Sequence, residues 1–194
     1  MSHGPLFFVF SAPSGAGKTT LVRAMLERFP CFTFSVSYTS RTKRPHEIHG
    51  KDYFFVDAED FKKKIDEGFF IEWEEVYTGH YYGTPLDKVQ DCIQNHRVML
   101  LDLDVTGGLR FKEAYPSLTK SIFVGLSSLD LLETRLRGRQ TESEEKIQMR
   151  LAKALTENKA ASLFDTIVWN DDLASALKDL TTMFVSLGHT PNAL

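Results

Sequence analysis

The stretch Ser11–Thr20, SAPSGAGKTT, sets two glycines beside a lysine and a run of hydroxyls, a combination suited to holding a polyphosphate. It matches the phosphate-cradling pattern G-x-x-x-x-G-K-[ST] except that Ala12 stands at the first glycine. Gly15 and Gly17 permit positive φ, so backbone N–H groups can approach phosphate oxygens, and a helix starting near Lys18 would turn its positive dipole end toward them. Lys18 would reach the β- and γ-phosphates, and Thr19 would offer its hydroxyl to Mg²⁺. Ala12 sits where the loop leaves a strand, and alanine is the smallest side chain after glycine. It is a tolerable departure. In "VMLLDLD", Asp102 and Asp104 close an apolar run and are the candidates for the acidic residue that a magnesium site also needs. For each of them, a turn or helix N-cap is the competing assignment.

A second anion site is written in "SVSYTSRTKRPHEIHGKDYFFV". Ser37, Arg41, Arg44 and Tyr53 bring two guanidinium forks and two hydroxyls to a loop containing Pro and Gly, as a second phosphate would require; a solvated basic loop is the alternative. In "FIEWEEVYTGHYYGTP", Glu72 lies on an otherwise apolar strand stretch. A carboxylate there can accept in parallel from the N1–H and N2–H₂ edge of guanine, a donor pair that adenine lacks. Thr84 would then bond guanine O6 and Tyr82 a phosphate. "HEIHG" (46–50) is one residue short of H-E-x-x-H, and no helix places its imidazoles on one face, so zinc is not the reading.

The elements that must position these groups follow from periodicity. Leu6–Phe10 reads as a buried strand and Thr19–Arg28 as a helix with Leu21, Val22, Met25 and Leu26 on one face. The rhythm returns at Arg97–Asp104, Lys120–Leu126 and Asp165–Trp169, each followed by a candidate helix, which predicts a parallel sheet covered by helices. Between 33 and 83 the strand-like segments "FTFSVSY", "YFFV" and "FIEWEEVY" surround one short helix, about Glu59–Glu67, ended by Gly68. This is an inserted, largely antiparallel lobe. "LRGRQTES" separates two later helices, and Thr141 with Glu144 makes a capping box that starts the second near Glu142, with Ile147, Leu151 and Leu155 on one face. Arg135, Arg137 and Arg139 crowd like charges into the segment before it.

Composition narrows the class. The 194 residues carry a formal charge of -3, with 42% hydrophobic and 25% charged residues, which suits one folded domain and gives no global field for nucleic acid or an anionic membrane. Anions must be held by local cations. Cys31 and Cys92 have no paired or metal-ligand spacing and read as structural thiols in a reducing compartment. No segment has the length of a signal core or a membrane span, so a cytoplasmic protein without nucleic-acid or membrane partners is expected.

Taken together, "SAPSGAGKTT", "SVSYTSRTKRPHEIHGKDYFF", "FIEWEEVYTGHYYGTP", "LLDLDVTGG", "RLRGRQTESEEKIQMRL" and "DTIVWND" resemble the guanylate kinase family along nearly the whole chain. The resemblance implies an α/β fold: a P-loop NTPase-type parallel sheet flanked by helices (1–32, 84–126 and 145–194), an inserted antiparallel GMP-binding lobe (about 33–83) and a helical lid (about 127–144). It implies ATP contacts from Ala12, Pro13, Ser14, Gly15, Ala16, Gly17, Lys18, Thr19 and Thr20, with Arg135 from the lid and Asn170 near adenine. GMP contacts carry over to Ser37, Arg41, Arg44, Tyr53, Glu72, Tyr82, Thr84 and Asp104. Lys18, Arg41, Arg139 and Arg150 would be catalytic, and Thr19 with Asp102 would hold Mg²⁺. Against the family's commoner residues, Ala12, "TSR", "GTP" and "GRQ" depart without removing a charge or a base-reading group.

The reaction so implied is reversible transfer of the γ-phosphoryl group of Mg-ATP to GMP, giving ADP and GDP, with dGMP left open as a further acceptor. The attacking atom is an ionised phosphate oxygen, so positioning and charge stabilisation carry the catalysis. A phosphopeptide-binding scaffold domain of the same fold is countered by Lys18, Thr19 and the lid arginines, and another nucleoside monophosphate kinase by Glu72. Oligomeric state is not legible.

Overall fold

The apolar run ahead of the glycine loop is strand β1 (Phe7–Ser11), buried at every residue. A strand apolar on both faces belongs inside a parallel sheet, because helices must cover it twice. In the computed structural model, which describes residues 4–138 and 143–192, β1 lies at the centre of a five-stranded sheet. β7 (Val98–Asp102) and β8 (Thr119–Gly125) flank it, with β2 (Phe32–Phe34) outside β7 and β9 (Thr166–Trp169) outside β8, and all four pairings are parallel.

Alternation along the strands divides the core between two layers. Phe8, Phe10, Leu100, Ile122 and Val124 face helices α1 (Lys18–Arg28), α5 (Leu129–Gly138), α6 (Glu144–Lys159) and α7 (Leu173–Ser186). Phe7, Val9, Met99 and Leu101 face α3 (Leu86–Gln94) and α4 (Val105–Ala114). Phe8 and Phe10 are fully buried, each worth roughly 1.5–3 kcal/mol relative to exposure, so β1 is a firm base for the loop that leaves its C-terminal end.

The lobe is a separate four-stranded sheet in the order β4 (Phe54–Phe55), β3 (Tyr38–Thr39), β6 (His80–Pro85), β5 (Phe70–Tyr77). β6 is antiparallel to both neighbours, and β3 pairs with β4 in parallel. Helix α2 (Ala58–Asp66) is capped by Asp57, whose carboxylate accepts from Asp60 N, and Gly68 takes φ +67 just beyond its end. Its Phe61 stacks on Phe70 at 4.6 Å, fastening the helix to the sheet.

Several elements depart from the periodicity reading. "FTFSVSY" is two strands, because Phe32–Phe34 pairs with β7 in the core sheet and only Tyr38–Thr39 enters the lobe. β7 stops at Asp102, since Asp104 is taken as the N-cap of α4. Helix α3, entered at Pro85, has no counterpart in the sequence reading. α6 starts at Glu144 with Ser143 as N-cap; Thr141 lies outside the described residues, and both Glu144 oxygens are taken by Arg137. On α6 the buried residues are Ile147 and Ala154, while Leu155 is 52% exposed. At 100° per residue Leu155 sits about 80° from Ile147 and Ala154 only about 20°. Of the two thiols, Cys92 is buried and Cys31 exposed.

Candidate active site

The sheet's C-terminal edge collects the first group of residues, where parallel α/β sheets place their ligands. Gly15 and Gly17 take φ +105 and +92, and Gly17 is the left-handed N-cap of α1. A Cβ at Gly17 would come 2.4 Å from Asn170 Nδ2, so glycine is required there for space as well as conformation. Ala12 is buried in the core and lies outside the positive-φ set. Its methyl is therefore packed rather than strained.

Lys18 Nζ pairs with Asp102 Oδ1 at 2.5 Å and donates to Leu103 O. Thr19 Oγ1 donates to Asp102 Oδ2 at 2.8 Å. One carboxylate thus gathers the loop's cation and its hydroxyl. A hydroxyl and a single carboxylate fit Mg²⁺, a hard cation that keeps several waters and takes substrate phosphates as its other ligands. From the far side, Arg150 Nη1 donates to Ser14 Oγ at 2.5 Å. Asn170 Nδ2 donates to Ala16 O at 2.6 Å, leaving its buried Oδ1 without a partner among the described residues. That acceptor fits an exocyclic amino group. Arg135 Nη2 donates to the carbonyls of Asn170 and Asp171 at 2.7 and 3.0 Å, so it braces the Asn170 turn. Thr20 is exposed on α1, its N–H bonded to Gly17 O at 3.1 Å, and Pro13 is buried beneath the loop.

The second group lies in the lobe. Arg41 makes a two-pronged pair with buried Glu47, Nη1 to Oε2 at 2.7 Å and Nη2 to Oε1 at 2.5 Å, and its guanidinium lies over Tyr53 at 5.0 Å. Arg44 gives its backbone N–H to Glu47 Oε2 at 2.8 Å while its side chain is half exposed. Burial would push Glu47 up, but the bonds from Arg41 and Arg44 hold it below the ordinary carboxylate range. Burial raises the Tyr53 phenol, keeping it a donor, and the ring meets Tyr82 at 5.9 Å. Ser37 is buried just ahead of β3, its carbonyl bonded to Phe54 N–H.

The base-reading candidate sits between the two groups. Glu72 is 8% exposed and accepts from Thr84 Oγ1 at 2.5 Å across the β5–β6 pair. The Thr84 proton is therefore directed at Glu72, whereas residue type alone pointed it at guanine O6. Burial pushes Glu72 up to about 7, with the Thr84 bond opposing and the nearby Asp104 charge adding. Asp104 is an N-cap, accepting from Gly107 N at 3.0 Å. A Cβ at Gly107 would lie 2.6 Å from Glu72 Oε2 and 2.8 Å from Asp104 Oδ1, so a glycine lets both carboxylates converge.

The structure thus brings Lys18, Thr19, Asp102, Ser14, Arg150, Arg135 and Asn170 to the loop, and Arg41, Arg44, Tyr53, Tyr82, Ser37, Glu72, Thr84 and Asp104 to the lobe side. Arg139 lies outside the described residues. Arg137 pairs with Glu133 one turn back on α5 and with Glu144 at the start of α6, so its charge is met by two acids. Two carboxylates went unread. Glu47 stood inside a motif weighed only for zinc, although an acid three and six residues after two arginines was a visible signal. Glu157 on α6 is pushed up to about 6 by burial, 3.7 Å from Lys153, and feels the charges of Asp104 and Lys18; its single position in a polar helix gave no signal.

The family model for guanylate kinase matches residues 6–187. The chain is 44% identical to the guanylate kinase of Nitratidesulfovibrio vulgaris over 180 residues, 93% of this chain and 86% of that one. With the guanylate kinase of Chlamydia felis it shares 40% over 186 residues, 95% and 90% of the two chains. Among solved structures, the guanylate kinase of Anaplasma phagocytophilum superposes with a TM-score of 0.79 at 29% identity, covering 95% of this chain and 87% of that one.

Proposed function

This chain belongs to the guanylate kinase family and phosphorylates GMP to GDP at the expense of ATP, and we propose that it does so at the β7–α4 junction. The observation that carries this reading is the run Asp102-Leu103-Asp104. Asp102 holds Lys18 and Thr19, Leu103 O accepts from Lys18, and Asp104 lies beside Glu72. Two residues of extended chain, roughly 7 Å, separate the donor's cradle from the acceptor's base reader.

Lys18 and the backbone N–H groups around Gly15 and Gly17 bind the ATP phosphates, with Asn170 Oδ1 accepting from adenine. Thr19 and Asp102 would hold Mg²⁺, which when bound neutralises charge on the β- and γ-phosphates. Glu72 accepts from N1–H and N2–H₂ of guanine. Arg41, Arg44, Tyr53 and Tyr82 hold the GMP phosphate, whose ionised oxygen attacks in line. No side chain has to remove a proton from it, so the chain's contribution is orientation and charge. Arg150, already beside Ser14, meets the transferring group. The free thiols Cys31 and Cys92 and the lack of a long apolar helix among the described residues support a cytoplasmic enzyme.

ATP-dependent phosphorylation of GMP, AMP, UMP and dTMP, assayed side by side, tests the acceptor. GMP is expected to lead by at least about 10², the scale of two charged hydrogen bonds. Comparable rates with AMP would remove Glu72 as the reader.

A further inference from the structure

We propose that Glu47 is a positioning residue for the acceptor phosphate, fixing Arg41 and the Arg44 backbone in the arrangement that a phosphate monoester dianion engages. The proposal rests on reading Arg41 and Arg44 as ligands of the GMP phosphate. Glu47 itself points at the arginines, and both of its oxygens are spoken for. Oε1 takes Arg41 Nη2 at 2.5 Å, and Oε2 takes Arg41 Nη1 at 2.7 Å and Arg44 N at 2.8 Å. The Glu47 N–H returns to Arg44 O at 3.1 Å. The 41–47 loop is thus wrapped around one carboxylate.

Burial makes this arrangement rigid. The Arg41 and Glu47 side chains are 9% and 6% exposed, and the guanidinium is packed by Tyr53 at 5.0 Å and Phe55 at 5.5 Å. Its Nη1 also donates to Thr42 O at 3.0 Å. These bonds use one edge of the fork. The Nε–H and the second N–H of Nη2 are not used by them, and a flexible cation has become a preset donor edge. Arg44 is different: its side chain is 48% exposed and its Nη1 is 3.9 Å from Glu47 Oε1, so its position is set through the main chain. With its carboxylate removed, two like charges three residues apart would be left to separate, and a displacement of about 1 Å in a substrate-positioning group can cost on the order of 10²-fold.

The competing role is electrostatic: a carboxylate that merely weakens the cationic site would hold GMP back. Glu47→Gln separates the two. Positioning predicts a rise of roughly 10- to 100-fold in the Kd for GMP, the scale of one charge-assisted hydrogen bond, and a fall in kcat/KM for GMP of at least that factor, with KM for ATP within about threefold. Guanosine, which lacks the phosphate, should bind the variant as it binds the wild type. Adding Glu47→Gln to Arg41→Ala should cost less than Glu47→Gln costs in the wild type, leaving only the share that passes through the Arg44 backbone. Glu47→Asp keeps the charge on a shorter stem, and its loss for GMP should fall between wild type and Glu47→Gln, again sparing guanosine. Tighter or unchanged GMP binding in Glu47→Gln overturns the proposal. Equal weakening of GMP and guanosine in both variants overturns it in favour of general support of the lobe. If Arg41→Ala leaves KM for GMP unchanged, the phosphate-site reading falls and the proposal falls with it.

Discussion

The two halves of the site are built from different materials. The donor half is mainly backbone: a left-handed glycine pair, a helix start and a few side chains gathered on Asp102. The proposed acceptor half is mainly side chains from separate segments, organised around two buried carboxylates, Glu47 on Arg41 and Arg44 and Glu72 on Thr84. Backbone groups are oriented by local chain geometry and need little support. Side-chain groups have rotamer freedom to lose, so they need partners fixed by the fold.

The comparison breaks first at Lys18. Lys18→Met should lower kcat by about 10³ or more, with the fold kept because no core packing is lost and the melting temperature lowered only by the cost of leaving Asp102 without its cation; turnover and thermal melting are measured together. Near-normal turnover would mean that backbone alone does the donor's work. Next is Glu72→Gln, which turns an amide donor toward guanine donors and should lower kcat/KM for GMP on the order of 10², leaving KM for ATP nearly unchanged. Thr84→Val removes the donor that holds Glu72, and about a 10-fold rise in KM for GMP is expected, with the Glu72 pKa moving further up.

The buried acid also gives the acceptor half a pH dependence of its own. As the proposed guanine reader Glu72 must be ionised, and burial has raised it to about 7. The Glu72 share of GMP affinity should therefore fall roughly five- to tenfold between pH 7.5 and 6, measured by calorimetry, and that share should vanish in Glu72→Gln, leaving only the fall due to protonation of the GMP phosphate itself at about pH 6. The effect of Glu72 on folding has the opposite sense. A raised folded-state pKa means the native protein binds the extra proton, so the wild type should lose stability relative to Glu72→Gln as pH rises from about 4.5 to 7, by at most roughly 3 kcal/mol. The smallest effect is expected at Ala12. Ala12→Gly should change kcat less than about twofold and reduce stability by roughly 0.5–1 kcal/mol through the freer unfolded chain; a large gain in activity would mean that the loop needs positive φ at residue 12.

The sequence by itself determined what is local. The strand, glycine turn and helix around Lys18 are contiguous, and an apolar run, positive-φ glycines and a helical stripe leave few other ways to fold. The β5 strand with Glu72 was legible for the same reason, as was the Gly68 stop after α2. Tertiary structure alone decided the rest. Phe32–Phe34 joined β7 rather than the lobe because a parallel neighbour was available in the core. Thr84 turned to Glu72 because the β5–β6 register sets them opposite. Glu47 became the anchor of the phosphate arginines because the lobe buries it, and a carboxylate taken from water must find its partners nearby. Glu144 went to Arg137 instead of a capping box, and Asp104 capped the start of α4 while standing beside Glu72. Spacing along the chain states which groups are present; which of them meet depends on burial and register, and these exist only once the sheets have formed.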